Sequence, residues 1–243
     1  MKQNEIRLNN VVTVFKREFN YYFNTPIGYI FLITFSILLN FLFFYIARFW
    51  ETGRSIRGFF DLLRIVYMFF IPAITMRLWS EEKKSGTVEL LFTLPLSHAE
   101  VILGKFLSAL SFLGVALVST MFIPFTVWYS ASPDWMIIFG GYFGAFLLGA
   151  AYIALGIYIS WLNRDQISAF MVSLIVFIFL FLLGYQPVLQ FLGPFKEIAA
   201  FLSVSWHYDS LARGLLDTRD ILFFTMVSAL FLYLNLRSIK MAR

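Results

Sequence analysis

The chain of 243 residues has no cysteine and little charge, since Asp, Glu, Lys and Arg together make up 14% of it. Without cysteine it forms no disulfide and no thiolate metal site. Soluble domains carry about 25% charged and about 45–50% apolar residues. Here 60% of residues are hydrophobic and 20% aromatic, more apolar surface than a water-soluble fold of this size can bury. The composition predicts an integral membrane protein.

Several patterns for chemistry are also missing. Neither H-E-x-x-H nor G-x-x-x-x-G-K-[ST] occurs, so no zinc-protease helix and no phosphate-binding loop is predicted. The two histidines, His98 and His207, fall in segments predicted on opposite sides of the membrane. The run "SEEK" from Ser80 matches S-x-x-K, but a solvated loop is its commoner meaning. The positive charges are scattered rather than gathered into a nucleic-acid patch. We expect no catalytic residue, metal or cofactor in this chain.

Six apolar stretches are long enough to cross about 30 Å of hydrocarbon, which takes roughly 20 residues of helix. They cover residues 26–47, 59–79, 104–128, 135–161, 167–185 and 221–236. Every backbone group in lipid must be paired internally, so we expect an all-α integral membrane protein with six transmembrane helices, as one domain over residues 26–243. Pro72 predicts a kink in the second. Glycines in the fourth predict close helix packing, inside one subunit or, as the alternative, at a dimer contact.

Residues 1–25 are predicted to form an amphipathic elbow helix at the membrane interface, with a helix packed on a partner as the alternative. Thr25 is suited to cap the first span, and Pro26 is suited to its first position. The apolar face is expected to contain residues at helical spacing: Val12, Phe15, Phe19, Tyr22 and Phe23.

The distribution of Lys and Arg predicts the orientation. With the N-terminus inside, 12 of the 19 basic residues lie on the inner side and seven on the outer side. The positive-inside rule then places both termini and residues 80–97 in the cytoplasm. Residues 186–220 lie outside and are expected to form short re-entrant helices held at headgroup level by Trp206 and Tyr208.

The same segment offers one enzymatic alternative. The protein would be a membrane-embedded enzyme that uses His207, Tyr208 and Asp209, with Glu197, Asp217 and Asp220 as the nearby acids.

Residues 80–97 interrupt the apolar pattern with a compact, charged segment. Gly86 permits a sharp reversal, Thr87 can cap a short helix, and Pro95 ends it. Val88, Leu91 and Phe92 are predicted to share its apolar side. Ser97 and Glu100 form an S-x-x-E capping box that starts the next helix. The segment therefore predicts a helical hairpin that fits a groove on a partner; resting on the lipid surface is the alternative.

Residues 71–110, "IPAITMRLWSEEKKSGTVELLFTLPLSHAEVILGKFLSAL", resemble the signature of ABC-2-type transporter permease subunits. The shared features are Met-Arg, an acidic–basic cluster, Gly-Thr-x-Glu-Leu-Leu and Gly-Lys-Phe. The run "FKREFNYYFNTPIGYIF" is similar to that family's elbow helix and first span. The run "WHYDSLARGLLDTRDILFF" is similar to the tail of the gliding-motility-associated branch, which nearly the whole chain resembles. The basic first outer loop, "RFWETGRSIRGFFD", departs from the pattern.

The resemblance implies a non-catalytic permease in the bacterial inner membrane that works with a separate cytoplasmic ATPase, which binds the ATP. It implies a second permease, as homodimer or heterodimer, and either substrate export or mechanical action on a periplasmic or membrane partner. Residues 80–97 become a coupling hairpin whose helix lies in the ATPase. Pro72, where the sequence predicts a kink in the preceding span, is the candidate hinge or kink. The residues assigned to coupling are Glu81, Glu82, Gly86, Thr87, Glu89, Leu90, Leu91, Phe92 and Pro95.

Overall fold

The computed structural model describes residues 7–47, 55–130, 134–191 and 203–241, together with residues 193, 196 and 201. Every regular element within these residues is helical, which confirms the all-α prediction. Half of the basic segment predicted as the first outer loop, and part of the predicted re-entrant segment, lie outside the described residues.

Twelve helices follow one another in the described part of the chain. The first six are α1 (Leu8–Asn24), α2 (Pro26–Phe41, continued by a π-helical turn at Leu42–Ile46), α3 (Arg57–Thr75), α4 (Arg77–Lys84), α5 (Thr87–Thr93) and α6 (His98–Ser119). The others are α7 (Phe122–Ser130), α8 (Trp135–Leu162), α9 (Gln166–Leu182), α10 (Gln186–Phe191), α11 (Val204–Ala212) and α12 (Thr218–Met241).

Five segments of the described chain are long and apolar enough to cross a membrane: Pro26–Ile46, Arg57–Lys84, His98–Ser130, Trp135–Leu162 and Thr218–Met241. The last extends past both ends of the predicted range 221–236. Helix α9, which corresponds to the predicted fifth span, has 17 residues. At 1.5 Å per residue it is about 26 Å long, slightly less than the hydrocarbon core of about 30 Å. The count of six therefore stays a prediction.

Helix α8 is the centre of the bundle, and it contacts α3, α6, α9, α11 and α12. The glycines of α8 allow neighbouring helices to pack closely against it. A Cβ atom at Gly149 would lie 2.1 Å from a methyl carbon of Leu113, and one at Gly156 would lie 2.3 Å from the hydroxyl of Thr75. Any larger residue would push the helices apart, so the glycine pattern is explained by close packing within one subunit, as predicted.

Helix α1 packs along α6 with a face that differs from the predicted one. The buried residues are Val11, Val14, Glu18 and Tyr22, whereas Val12 is 46% exposed. The reason is Gly104 of α6, where a Cβ atom would lie 2.6 Å from Val14. Because Gly104 has no side chain, the Val14 side of α1 packs against α6. Phe15, Phe19 and Phe23 lie on a neighbouring side of α1, where their rings contact one another.

The junction between α1 and α2 corrects one predicted cap. Pro26 occupies the first turn of α2, as expected, but Thr25 makes no side-chain capping bond to that helix. Its hydroxyl donates instead to the carbonyl of Tyr21, at 2.9 Å, in the last turn of α1. The side chain of Thr25 therefore completes the end of α1, and the fixed φ of Pro26 begins α2.

The second span is interrupted at Met76, one turn after Pro72, rather than at the proline itself. The N–H of Met76 donates to the Pro72 carbonyl at 2.8 Å. Ser160 of α8 enters the gap: its hydroxyl donates to the Met76 carbonyl at 2.8 Å and accepts the N–H groups of Trp79 and Ser80 at 3.1 and 3.2 Å. One buried hydroxyl therefore supports the break from which α4 continues.

Candidate functional site at the α4–α5 hairpin

Helices α4 and α5 form the predicted hairpin at the end of the second span. Gly86 has φ of +72°, a left-handed conformation that favours glycine. Gly86 also occupies the N-cap position of α5, so the predicted cap by Thr87 is wrong. The Thr87 hydroxyl lies 2.9 Å from that of Ser85 and bonds the turn instead. The helix ends at Thr93, and Leu94 is extended because it precedes Pro95.

The side of α5 predicted to be apolar packs against its own chain. Leu91 is 5% exposed. The ring of Phe92 lies 6.4 Å from Trp79, 6.3 Å from Trp161 and 5.0 Å from His98, measured between ring centroids. Leu91 is therefore buried within the chain, and the half-buried Phe92 packs against Trp79 of α4 and Trp161 of α8.

The opposite side of α5 is exposed and partly apolar. Leu90 is 66% exposed and Leu94 is 49% exposed, with the exposed Glu89 beside them. Exposed leucines outside the spanning segments cannot be explained by contact with the hydrocarbon core. Among the residues assigned to coupling, Glu89 and Leu90 are therefore exposed, Leu91 is buried and Phe92 is half-buried.

The base of the hairpin is tied to the turn after α8. The ammonium of Lys83 donates to the carbonyl of Trp161 and lies 3.8 Å from the centroid of its ring. Lys84 lies 3.3 Å from the carboxylate of Asp165, which also caps the start of α9. The hydrogen bond from Lys84 is the leading reason that the pKa of Asp165 is below its usual value. Together these contacts fix α4 against α8 and α9.

An ion cluster that is buried at Lys105 and half-exposed at Arg17 joins α4 to α1 and α6. The ammonium of Lys105 is 2.9 Å from Glu82, 3.2 Å from Glu18 and 2.7 Å from the carbonyl of Leu78. Arg17 lies 2.6 Å from Glu18 and 3.1 Å from Glu82. Burial alone would raise the pKa of Glu18, but the two cations hold it below the usual value. The charges of two cations and two carboxylates therefore cancel where α1, α4 and α6 meet.

Glu100 makes a second link between α1 and α6. The predicted capping box is present, with the Ser97 hydroxyl accepting from Glu100 N–H and the Glu100 carboxylate accepting from Ser97 N–H at 2.8 Å. The same carboxylate accepts the N–H of Arg7 at 2.7 Å and the amide of Asn10 at 3.1 Å. One side chain therefore satisfies the starts of two helices.

Of the residues considered for an enzyme site, His207 binds Asp220 and Phe201, whereas Tyr208 and Asp209 bind α3. His207 Nδ1 lies 2.7 Å from Asp220 and Nε2 lies 3.0 Å from the Phe201 carbonyl. Both ring nitrogens of this buried histidine therefore have partners.

The two residues after His207 bind α3. The Tyr208 hydroxyl donates to the Phe60 carbonyl at 3.2 Å. Asp209 lies 2.6 Å from Arg64, which also pairs with Asp61 at 3.3 Å. Burial is the main reason that the pKa of Asp209 is raised. These contacts anchor α11 to its neighbouring helices. Of the other predicted acids, Asp217 accepts from the N–H of Arg219, and Glu197 lies outside the described residues.

Sequence reasoning missed Glu18, Lys105 and Ser160 as organising residues. One signal was present for Glu18, because it lies four residues from both Val14 and Tyr22 on an otherwise apolar stripe. Lys105 gave a similar indication, because it is a charged residue that follows Gly104 within an apolar run.

Within the described ranges, no group of three His, Asp or Glu is placed to hold a metal ion.

The fold and the hairpin together define a multi-pass helical membrane protein with a structured segment outside the spans. The family model described as ABC-2 family transporter protein matches residues 18–236, so the chain belongs to this family. No curated protein matches it. The family consists of membrane permeases of ABC transporters, which are generally non-catalytic and generally work with a cytoplasmic ATPase subunit.

Proposed function

We propose that this chain couples an ABC ATPase to the membrane through the exposed side of α5. The proposal rests on one observation: part of α5 packs against the chain, and another part of its surface is exposed and apolar. Leu91 and Phe92 fix it to the chain, while Leu90 and Leu94 are exposed beside Glu89. An apolar stripe bordered by charge on a short protruding helix fits a groove on a partner. The site's remaining assigned residues, Glu81, Glu82, Gly86, Thr87 and Pro95, shape or support the hairpin.

The contacts at the base give the proposal a mechanical basis. Glu82 binds Lys105 and Arg17, and Ser160 supports the break after Pro72. A displacement of α5 would therefore be passed to α1, α6 and α8 rather than absorbed by a loose loop. In this scheme ATP binding closes the two ATPases, the hairpins move, and the spans rock against each other. The free energy comes from ATP bound by the partner.

The proposed complex contains two permeases in the bacterial cytoplasmic membrane, each with α9 as a sixth span, α1 as the elbow helix, and both termini in the cytoplasm. The excess of Lys and Arg on that side supports the orientation. The similarity of "WHYDSLARGLLDTRDILFF" to the gliding-motility-associated branch supports membership of that branch. The work done is export of a substrate or mechanical action on an outer partner.

The test is co-purification of the co-expressed ATPase subunit with Leu90→Asp. A carboxylate forced into an apolar contact costs several kcal/mol, and each 1.4 kcal/mol is about tenfold in affinity, so the ATPase should be lost. Lys84→Ala is the control, because an exposed ion pair contributes about 0–1 kcal/mol. ATP hydrolysis should appear only in preparations that contain the ATPase. Full recovery of the ATPase with Leu90→Asp would overturn the coupling role of this face.

A further inference from the structure

A cleft of about 250 Å³ lies between α1 and α4, beside the base of the hairpin. It is far larger than one water molecule, which occupies about 30 Å³ of liquid. Six charged residues line it, with equal numbers of each sign: Arg17, Arg77, Lys105, Glu18, Glu81 and Glu82. The cleft is therefore polar but carries no net charge.

Four of these charges neutralise one another. Arg17 and Lys105 each contact both Glu18 and Glu82, at distances of 2.6 to 3.2 Å. Of the six charged residues, Arg77 and Glu81 take no part in these ion pairs.

Arg77 and Glu81 remain separate although they are one turn apart on α4. In the described part of the chain, neither has an oppositely charged group within 4.0 Å. An arginine placed N-terminal to a glutamate at this spacing has the less favourable orientation for a helical ion pair. The cleft thus presents one cation and one anion that are not satisfied by each other.

The guanidinium of Arg77 is held in place. It lies 4.0 Å from the ring centroid of Tyr21 and 4.1 Å from that of Tyr22. One of its terminal nitrogens is buried and has no hydrogen-bond partner. Among the described residues, the carboxylate of Glu81 has a hydrogen bond from the Tyr21 hydroxyl alone, at 3.3 Å. Groups already ordered in this way lose little conformational freedom when they bind a ligand.

The position of the cleft restricts the ligand. Tyr22 lies four residues before Pro26, where the first apolar span begins, and Glu81 lies three residues before Lys84, where the second ends. The cleft is therefore at the boundary between apolar spans and polar chain. In a membrane this is the level of phospholipid headgroups.

We propose that the cleft binds the headgroup of an ethanolamine phospholipid, with its phosphate on Arg77 and its primary ammonium on Glu81. The proposal rests on the membrane topology of the proposed function, but not on the ATPase. A phosphate linked to an ammonium matches a cleft with one free charge of each sign. A choline headgroup has no N–H donor for Glu81, and a glycerol headgroup leaves Glu81 facing a net anion. Both should bind more weakly.

The test is native mass spectrometry of the full delipidated chain in detergent, titrated with phosphatidylethanolamine, phosphatidylcholine or phosphatidylglycerol of identical acyl chains. We expect preferential binding of the ethanolamine lipid, and about tenfold weaker binding in Arg77→Gln and in Glu81→Gln, since each loses a charge-assisted contact. Arg164→Gln and Glu89→Gln are the matched controls, because both residues lie away from this cleft, and they should keep the preference.

Soluble glycerophosphoethanolamine is added in a parallel titration. Binding of the lipid but not of the soluble compound supports the lipid source. Binding of both with equal affinity would overturn the membrane source and assign the cleft to a soluble phosphate compound. Equal binding of the three lipids, or no effect of either cleft variant, would overturn the site altogether. Recovery of the ATPase with these variants is scored separately, so failure here is distinguishable from failure of the coupling role.

Discussion

The ammonium of Lys105 lies 3.2 Å from the carboxylate of Glu18, across the contact between α6 and α1. Lys105 is 1% exposed, and Glu82 shares the same ammonium from α4. The N-terminal helix, the hairpin base and the third span therefore meet at one charge. Because separating any of them exposes an unpaired buried ion, the three elements should move as a unit.

The first prediction concerns removal of that charge. Lys105→Met keeps a side chain of similar length but leaves two carboxylates with Arg17 alone. Breaking a buried ion pair by removing one partner costs about 3–5 kcal/mol. We expect the thermal unfolding midpoint of the purified chain in detergent to fall by about 10 °C or more. Lys16→Met is the control, because Lys16 is exposed on α1. Equal midpoints for the two variants would show that the cluster adds no stability.

The second prediction is an acid sensitivity that originates at Glu18. Its pKa in the folded protein is below the ordinary value of 4.5. The unfolded chain therefore binds the proton more readily, so the stabilisation is complete above that value and is lost as the pH falls through the folded pKa. We expect the unfolding midpoint to drop as the pH falls below the ordinary carboxyl value of 4.5.

Glu18→Gln tests this assignment. The variant should be less stable than wild type at neutral pH, because Lys105 loses a partner. Its midpoint should change less over the acid range, because the titrating group is gone. Glu89→Gln, on the exposed side of α5, should retain the wild-type profile. An unchanged acid profile in Glu18→Gln would assign the titration to another carboxylate.

The sequence made the local features predictable and left the distant ones hidden. The Ser97–Glu100 capping box and the α8 glycines follow from spacing within one helix. The contact from Lys105 to Glu18 joins residues 87 positions apart, and that from Ser160 to Trp79 joins residues 81 positions apart, so neither is encoded in a local pattern.

The orientation of α5 shows a different limit. Leu90, Leu91 and Phe92 are consecutive, and α5 has seven residues. So short a helix has apolar residues on several sides, and periodicity cannot decide which of them face inward. Packing against Trp79 and Trp161 decides it, and these tryptophans come from two different helices.

The third prediction tests the support of the break in the second span. Ser160→Ala removes the acceptor for the N–H groups of Trp79 and Ser80. A buried donor left without a partner costs about 1–3 kcal/mol. The unfolding midpoint should fall by several degrees, and ATP hydrolysis by the complex should respond less to the permease. Ser168→Ala, at an exposed position in α9, should match wild type in both measurements. A wild-type result for Ser160→Ala would mean that the break supports itself.

The last prediction decides whether α9 is the sixth span, and the absence of cysteine makes the experiment simple. Single variants Ser85→Cys, Arg164→Cys, Tyr185→Cys and Leu216→Cys place one thiol at an exposed position each. A 17-residue helix is about 4 Å shorter than a typical hydrocarbon core, a mismatch that local thinning or snorkelling accommodates at modest cost. We therefore expect an impermeant maleimide to label Tyr185→Cys and Leu216→Cys from outside intact cells, and Ser85→Cys and Arg164→Cys only after permeabilisation. Because Arg164 and Tyr185 flank α9, labelling of both from the same side would mean that α9 does not cross, and the six-span topology would have to be replaced by one with five.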